Sequence, residues 1–154
     1  MKEFRVIIAG SRKYDDYETL RDKCNKILSL KLSDPACQVI IVSGGATGAD
    51  ALGERYAREH GLAIESHPAD WTRYGRSAGP RRNAEMAAVA DALIAFPKEG
   101  EKNIGTLNMI EQAKEKGLTI RISCICIPSC FVFYCFSDDG SAAASSSFSS
   151  SMRG

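Results

Sequence analysis

The sequence predicts an α/β fold: a doubly wound parallel sheet of about five strands in a single domain. Three observations carry that expectation. Short apolar runs alternate with amphipathic helical stretches through residues 1–122. The connections between them are short, as a compact domain requires. Several of the apolar runs end in glycine-bearing loops from which a helix starts at once. Alternation of this kind needs parallel pairing through right-handed crossovers.

Residues 4–9 and 39–42 are mostly apolar, the pattern of strands covered on both faces. Ala63–Ser66, Ala92–Phe96 and residues 118–122 are weaker runs of the same kind. In the first helical stretch Tyr17, Leu20, Cys24, Ile27 and Leu28 repeat at helical spacing. Asp15 and Glu18 give it a start resembling a capping box. A second helix is expected from Thr47, with Asp50 three residues on and Gly61 as its stop. The third follows Gly79-Pro80, proline taking the first helical position and Met86 and Val89 facing inward. The fourth spans about Thr106 to Lys116, with Leu107, Ile110 and Ala113 as its stripe and Gly117 as its stop.

A chain of 154 residues has room for one domain with one core. Its composition, 44% hydrophobic and 25% charged, is that of a globular protein. A formal net charge of +1 argues against coating nucleic acid by bulk charge and leaves a local basic patch open. Residues 6–9 are too short for the apolar core of a signal peptide, so a cytoplasmic location is expected. Only Cys24 and Cys37 of the six cysteines lie in the first 123 residues, as in a reduced compartment.

The alternation stops after Ile122. Residues 123–137 are rich in cysteine and aromatics, and residues 140–154 are mostly Ser, Ala and Gly. The uncharged stretch 122–137 contains Pro128 and falls short of the roughly 20 residues of a membrane span. Cys124, Cys126, Cys130 and Cys135 lack paired C-x2-C knuckles and a nearby histidine, so no zinc site is expected. The domain is therefore placed at 1–122, and 123–154 is read as a tail that is disordered or outside the fold.

Four loops carry the chemistry. The run Val39-Ile40-Ile41-Val42-Ser43-Gly44-Gly45-Ala46-Thr47-Gly48-Ala49-Asp50 takes a buried strand through three glycines into a helix. Such a loop lets backbone N–H groups approach an anion, and the helix N-terminus adds partial positive charge. No Lys-Ser/Thr follows Gly48, so it is not a Walker loop, nor is it G-x-G-x-x-G. Gly10-Ser11-Arg12 ends the first strand, where Arg12 is suited to bidentate phosphate contact. The segment from His67 to Asn83 holds Arg73, Arg76, Arg81 and Arg82 with Trp71 and Tyr74. Arg81 and Arg82 are expected in the first turn of a helix, a poor place for cations unless an anion is bound there. Trp71 suits either base stacking or a core anchor. The fourth loop runs from Phe96-Pro97 to Gly105-Thr106, where threonine suits an N-cap and can also hold a phosphate oxygen.

At these residues the chain resembles the SLOG superfamily of Rossmann-like nucleotide-ligand domains, in its YspA-like branch of bacteria and phages. The matching pieces are Gly10-Ser11-Arg12, the run from Ser43 to Asp50, Pro68-Ala69-Asp70-Trp71, Ala78-Gly79-Pro80-Arg81-Arg82-Asn83 with Met86, Phe96-Pro97 and Gly105-Thr106. They follow family order over about residues 4–122. The resemblance implies a pocket for a nucleotide-like small molecule at the C-terminal edge of the sheet. Its ligand-binding residues would include Gly10, Ser11, Arg12, Gly44, Gly45, Thr47, Gly48, Asp50, Asp70, Trp71, Arg81, Arg82, Asn83, Pro97, Gly105 and Thr106.

Relatives in the superfamily include cytokinin-activating phosphoribohydrolases, whose catalysis uses R-K-x-x-M and P-G-G-x-G-T-x-x-E. Arg82 and Met86 match the first motif, while Asn83 replaces its lysine. Only Pro97, Gly105 and Thr106 fit the second, and Met109 stands at its glutamate. Binding therefore carries over better than catalysis. Arg82, Glu85 and Glu111 are the weak catalytic candidates of an enzyme with a relocated acid/base group. Nucleic-acid binding through the Arg/aromatic loop is the less favoured third reading. No cofactor and no membrane contact are expected, and pairing into a homo-oligomer stays open.

Overall fold

A computed structural model of the chain describes residues 1–123. Five strands, β1 (Lys2–Gly10), β2 (Cys37–Ser43), β3 (Ala63–Ser66), β4 (Ala92–Phe96) and β5 (Thr119–Ile122), form one sheet. Its order is β3-β2-β1-β4-β5, and every neighbouring pair is parallel. The order reverses beside β1, because the chain builds outward to β3 and returns to place β4 on the other side. Ligand crevices of open parallel sheets lie beyond the strand carboxyl ends at such a reversal.

Helices α1 (Tyr17–Leu32) and α2 (Ala49–Glu59) cover one face, packing Leu20, Cys24, Leu28, Tyr56 and Ala57 against Val6, Ile8, Ile41 and Ile94. Helices α4 (Ala78–Val89) and α5 (Ile104–Glu115) cover the other, with Met86, Met109 and Ala113 against Ile7, Val42 and Leu93. Alternate side chains of each central strand thus serve opposite layers, the arrangement that continuous apolar runs imply. β3 departs from the expectation of cover on both faces: Ala63, Ile64 and Ser66 are exposed. It is an edge strand, held on one side only.

Several helix ends differ from the sequence reading. α1 is capped by Asp16, which accepts from Thr19 N–H at 3.1 Å, and not by Asp15, whose carboxylate lies 3.5 Å from Lys98 Nζ. α2 begins at Ala49, two residues beyond Thr47, because Gly48 holds a φ of 75°. α4 begins at Ala78, so Pro80 is its third residue and Arg81 and Arg82 fall beyond the third. Proline is tolerated there because the first N–H groups of a helix have no internal partner. Val89 is 41% exposed and faces away from the core. α5 starts at Ile104, with Asn103 in the cap position, so buried Thr106 is inside the helix and does not cap it. Its buried stripe runs through Met109, Ile110 and Ala113, while Leu107 is half-buried. Between β3 and α4, a stretch without an expected helix contains the single-turn α3 (Trp71–Tyr74), capped by Asp70.

The expectations for residues 124–154, zinc and disorder included, lie outside the described residues. The last described contact, Ser123 N–H to Ala95 O at 2.8 Å, completes the β4–β5 pairing. A chain ending at Ser123 is therefore expected to unfold cooperatively, with a thermal midpoint within a few degrees of the full chain. About 1 kcal/mol moves the midpoint of a small domain by roughly 4–8 °C. Loss of a cooperative calorimetric transition would place essential contacts in the tail.

Candidate functional site

The carboxyl ends of β1, β2 and β3 open around a cavity of about 310 Å³. Arg12 enters from the loop after β1, and Gly44, Gly45, Ala46 and Thr47 from the loop after β2. Pro68, Ala69 and Trp71 form the wall after β3, and Arg82 reaches in from α4. Six of the residues singled out from sequence, Arg12, Gly44, Gly45, Thr47, Trp71 and Arg82, are thus brought together. Trp71 is 50% exposed, which removes the core-anchor alternative, and the Arg12 guanidinium lies 5.6 Å from its ring centroid.

Other candidates support this site from behind. Gly10 pairs with Phe96, and the next amide, Ser11 N–H, bonds Phe96 O at 3.1 Å. The Ser11 carbonyl accepts from Ala49 N–H at 3.1 Å, tying the β1 loop to the start of α2. Gly48 makes this possible through its positive φ and close passage: a Cβ there would stand inside the Ser11 and Arg12 backbone. Thr47 Oγ1 donates to Arg12 O at 3.3 Å, closing the same seam from above.

The amides of the glycine loop turn partly inward. Gly45 N–H bonds Ser43 Oγ at 3.1 Å, and Ala46 N–H bonds Asp50 Oδ2 at 3.4 Å. Asp50 is 5% exposed and does not line the cavity, so it braces the loop from beneath. Burial raises its carboxyl pKa, while the Arg82 charge and the Ala46 N–H oppose that rise. Burial lowers the Arg82 pKa, and Asp50 opposes that change. Arg82 donates to Gly44 O at 2.6 Å and through Nε to Asn83 Oδ1 at 3.1 Å, which fixes its fork toward the cavity.

Asn83, Asp70, Arg81, Pro97, Gly105 and Thr106 stand outside the cavity wall. Asn83 is buried and ties α4 to α5, donating to Asn108 Oδ1 at 2.9 Å and Gly105 O at 3.3 Å. Arg81 lies over the Tyr74 ring at 4.3 Å, as does Arg73 at 5.1 Å. Of the catalytic candidates, Glu85 and Glu111 are exposed on α4 and α5 and absent from the wall. Met109 is buried in the core. No carboxylate lines the cavity.

Two contributors were missed in the sequence. Glu54 accepts from Ser43 Oγ at 2.7 Å, which leaves that oxygen free to accept from Gly45 N–H. Its spacing of four from Asp50 was the available signal, since it puts both carboxyls on one helical face. Asn103, at a φ of 52°, accepts from Lys98 N–H and donates to the carbonyls of Lys98 and Glu101, shaping the β4–α5 loop. Among the described residues no group of His, Cys, Asp and Glu is arranged to hold a metal ion. No helix there is long and apolar enough to cross a membrane.

Comparison with known proteins bears on this geometry. Residues 4–74 match the model of the YspA, cpYpsA-related SLOG family. The gene 61 protein of Mycobacterium phage D29 is 36% identical over 122 residues, covering 75% of this chain and 93% of that protein. Among solved structures, DNA processing protein A (DprA) from Streptococcus pneumoniae superposes with a TM-score of 0.56 at 18% identity, over 81% of this chain. The match spans 52% of the DprA chain, about half its length. TM1055 gives a TM-score of 0.53 at 21% identity, over 78% of this chain and 72% of its own. These two likenesses establish a shared Rossmann-like fold. Taken with the phage relative and the matched loops, the chain belongs to the YspA, cpYpsA-related SLOG family.

Proposed function

We propose that the domain binds a nucleotide or phosphorylated nucleotide derivative in the cavity at the carboxyl end of its sheet. One observation carries this reading: two guanidinium groups, a glycine loop and a half-exposed indole surround the same space. Guanidinium forks suit phosphate oxygens, and an indole face suits a base. A volume near 310 Å³ falls at the lower end of small-molecule sites, roughly 300–1,000 Å³. The domain is read as a cytoplasmic binding or sensing module.

Trp71 is the single tryptophan of the chain, so its emission reports on the site. Nucleotides are expected to quench it and to raise the thermal midpoint. A ligand at about 100 times its Kd adds about 2.7 kcal/mol. The same incubations, separated by chromatography, are expected to yield no free base from nucleoside monophosphates. A positioned acid or base is worth about 10²- to 10⁴-fold, and no carboxyl reaches the cavity. Absence of quenching and stabilisation across all nucleotides would overturn the binding reading. Steady base release would favour the phosphoribohydrolase alternative.

A second reading, single-stranded nucleic acid, is favoured by the exposed Arg73, Arg76 and Arg81 beside Trp71. Backbone contacts would show as a steep fall in affinity with salt. A small-molecule ligand would instead stabilise selectively by base.

A further inference from the structure

Three charges lie around the glycine loop of the cavity. Arg12 and Arg82 line it, while Asp50 lies just behind the loop. Asp50 and Arg82 flank Gly44 so closely that a Cβ there would stand 2.8 Å from Asp50 Oδ2 and also strike the Arg82 guanidinium. Glu54, on the same helix as Asp50, is engaged elsewhere: Oε1 accepts from Ser43, and Oε2 lies 3.7 Å from Arg58. The Arg82 charge is thus answered within the protein, and Arg12 holds the remaining positive charge at the wall. Asp50 also occupies the inward amide of Ala46, a donor that an open glycine loop would offer to an anion.

We propose that Asp50 sets the charge of the ligand: by balancing Arg82 it leaves the cavity one net positive charge, so the site takes a singly charged phosphodiester in preference to a doubly charged terminal phosphate. This rests on the nucleotide reading above. A terminal phosphate carries about −1.5 to −2 at neutral pH, whereas an ester-capped phosphate carries one charge. The second charge would face Asp50 with no cation left to meet it, in a site where charges interact more strongly than in water. Removal of the Asp50 charge releases Arg82 for that second charge. The carboxylate is therefore a specificity determinant that touches the ligand only through Arg82 and the loop.

Singly charged phosphates occur both in small phosphodiester nucleotides and along a nucleic-acid backbone. The test titrates the full-length protein calorimetrically, near neutral pH, with each nucleoside 5′-monophosphate and its methyl ester, and with a short oligothymidylate. In the wild type the ester is expected to bind at least as tightly as the monophosphate. Asp50→Asn is expected to tighten monophosphate binding about tenfold, while the ester changes less than about threefold. Tight oligothymidylate binding would support the same charge rule and assign the phosphate to nucleic acid. A wild-type preference for monophosphate of about tenfold or more would overturn the proposal without needing the variant to fold. Weakening of both ligands by Asp50→Asn in a folded protein would overturn it too, making Asp50 a direct contact. If no ligand binds either protein, the nucleotide reading itself falls, and the charge rule falls with it.

Discussion

Gly48→Ala is expected to destabilise the domain by about 3 kcal/mol or more, seen as a lower denaturant midpoint with an unchanged slope. Two costs add. At φ 75° and ψ −126° the residue sits where side chains are strained, typically by about 1–3 kcal/mol. The new Cβ also meets the Ser11 carbonyl and the Arg12 backbone, which are held in place by the sheet and have no room to yield. By the usual scaling the thermal midpoint should fall by about 10 °C or more. Gly45→Ala is the natural comparison. It carries a similar φ of 71°, but nothing lies within 4 Å of its Cβ, so only the conformational part should appear. Equal losses at both positions would show that the β1–α2 seam contributes nothing to stability.

Arg82→Ala is expected to weaken nucleotide binding by roughly 10- to 150-fold, the range for losing a charged hydrogen bond worth about 1.5–3 kcal/mol. Arg82→Lys should recover only part of it, because a lysine keeps the charge but lacks the fork that holds Gly44 O and Asn83 together. The alanine variant should also show a pH signature of its own. Asp50 already has a raised pKa in the folded protein, and without Arg82 it loses the charge that opposes the rise. The folded state then binds a proton more tightly than the unfolded state, so stability must fall as pH increases through that pKa. Arg82→Ala should therefore be less destabilising in mild acid than in mild base. Unchanged affinity in Arg82→Ala would move the ligand away from α4.

The central strands were legible because buried parallel strands leave uninterrupted apolar runs, and Ala92–Phe96 matches the structure residue for residue. Ala63–Ser66 does so too, although it is a mostly exposed edge strand. Helix starts were less so. Asp15 and Asp16 are equivalent as text, and only the approach of Lys98 to Asp15 and of Thr19 to Asp16 separates them. The convergence of Arg12, Gly44, Thr47, Trp71 and Arg82 on one cavity follows from parallel topology, which sends every strand-to-helix loop to the same edge. The direction of Asp50 did not follow from anything local. An acid in the first turn of a helix is favourable whether it faces a ligand or its own loop. The inward choice depends on Arg82, thirty-two residues away in sequence, and on Glu54 having engaged Ser43.

β3, exposed along most of its length, ends the sheet with only four residues. Its unpaired backbone is the kind of template on which identical chains can stack and grow into fibrils. A second molecule docking there would gain few rungs. It would also have to desolvate Glu65, which already accepts from Arg5 Nε at 2.9 Å and lies 2.8 Å from His67 Nε2. Hydrogen bonds to Arg5 first and to His67 next lower the Glu65 pKa, which favours the charged carboxylate. A short strand carrying a charged side chain is the kind of gatekeeper that disfavours the recruitment of further copies into a continuous ribbon.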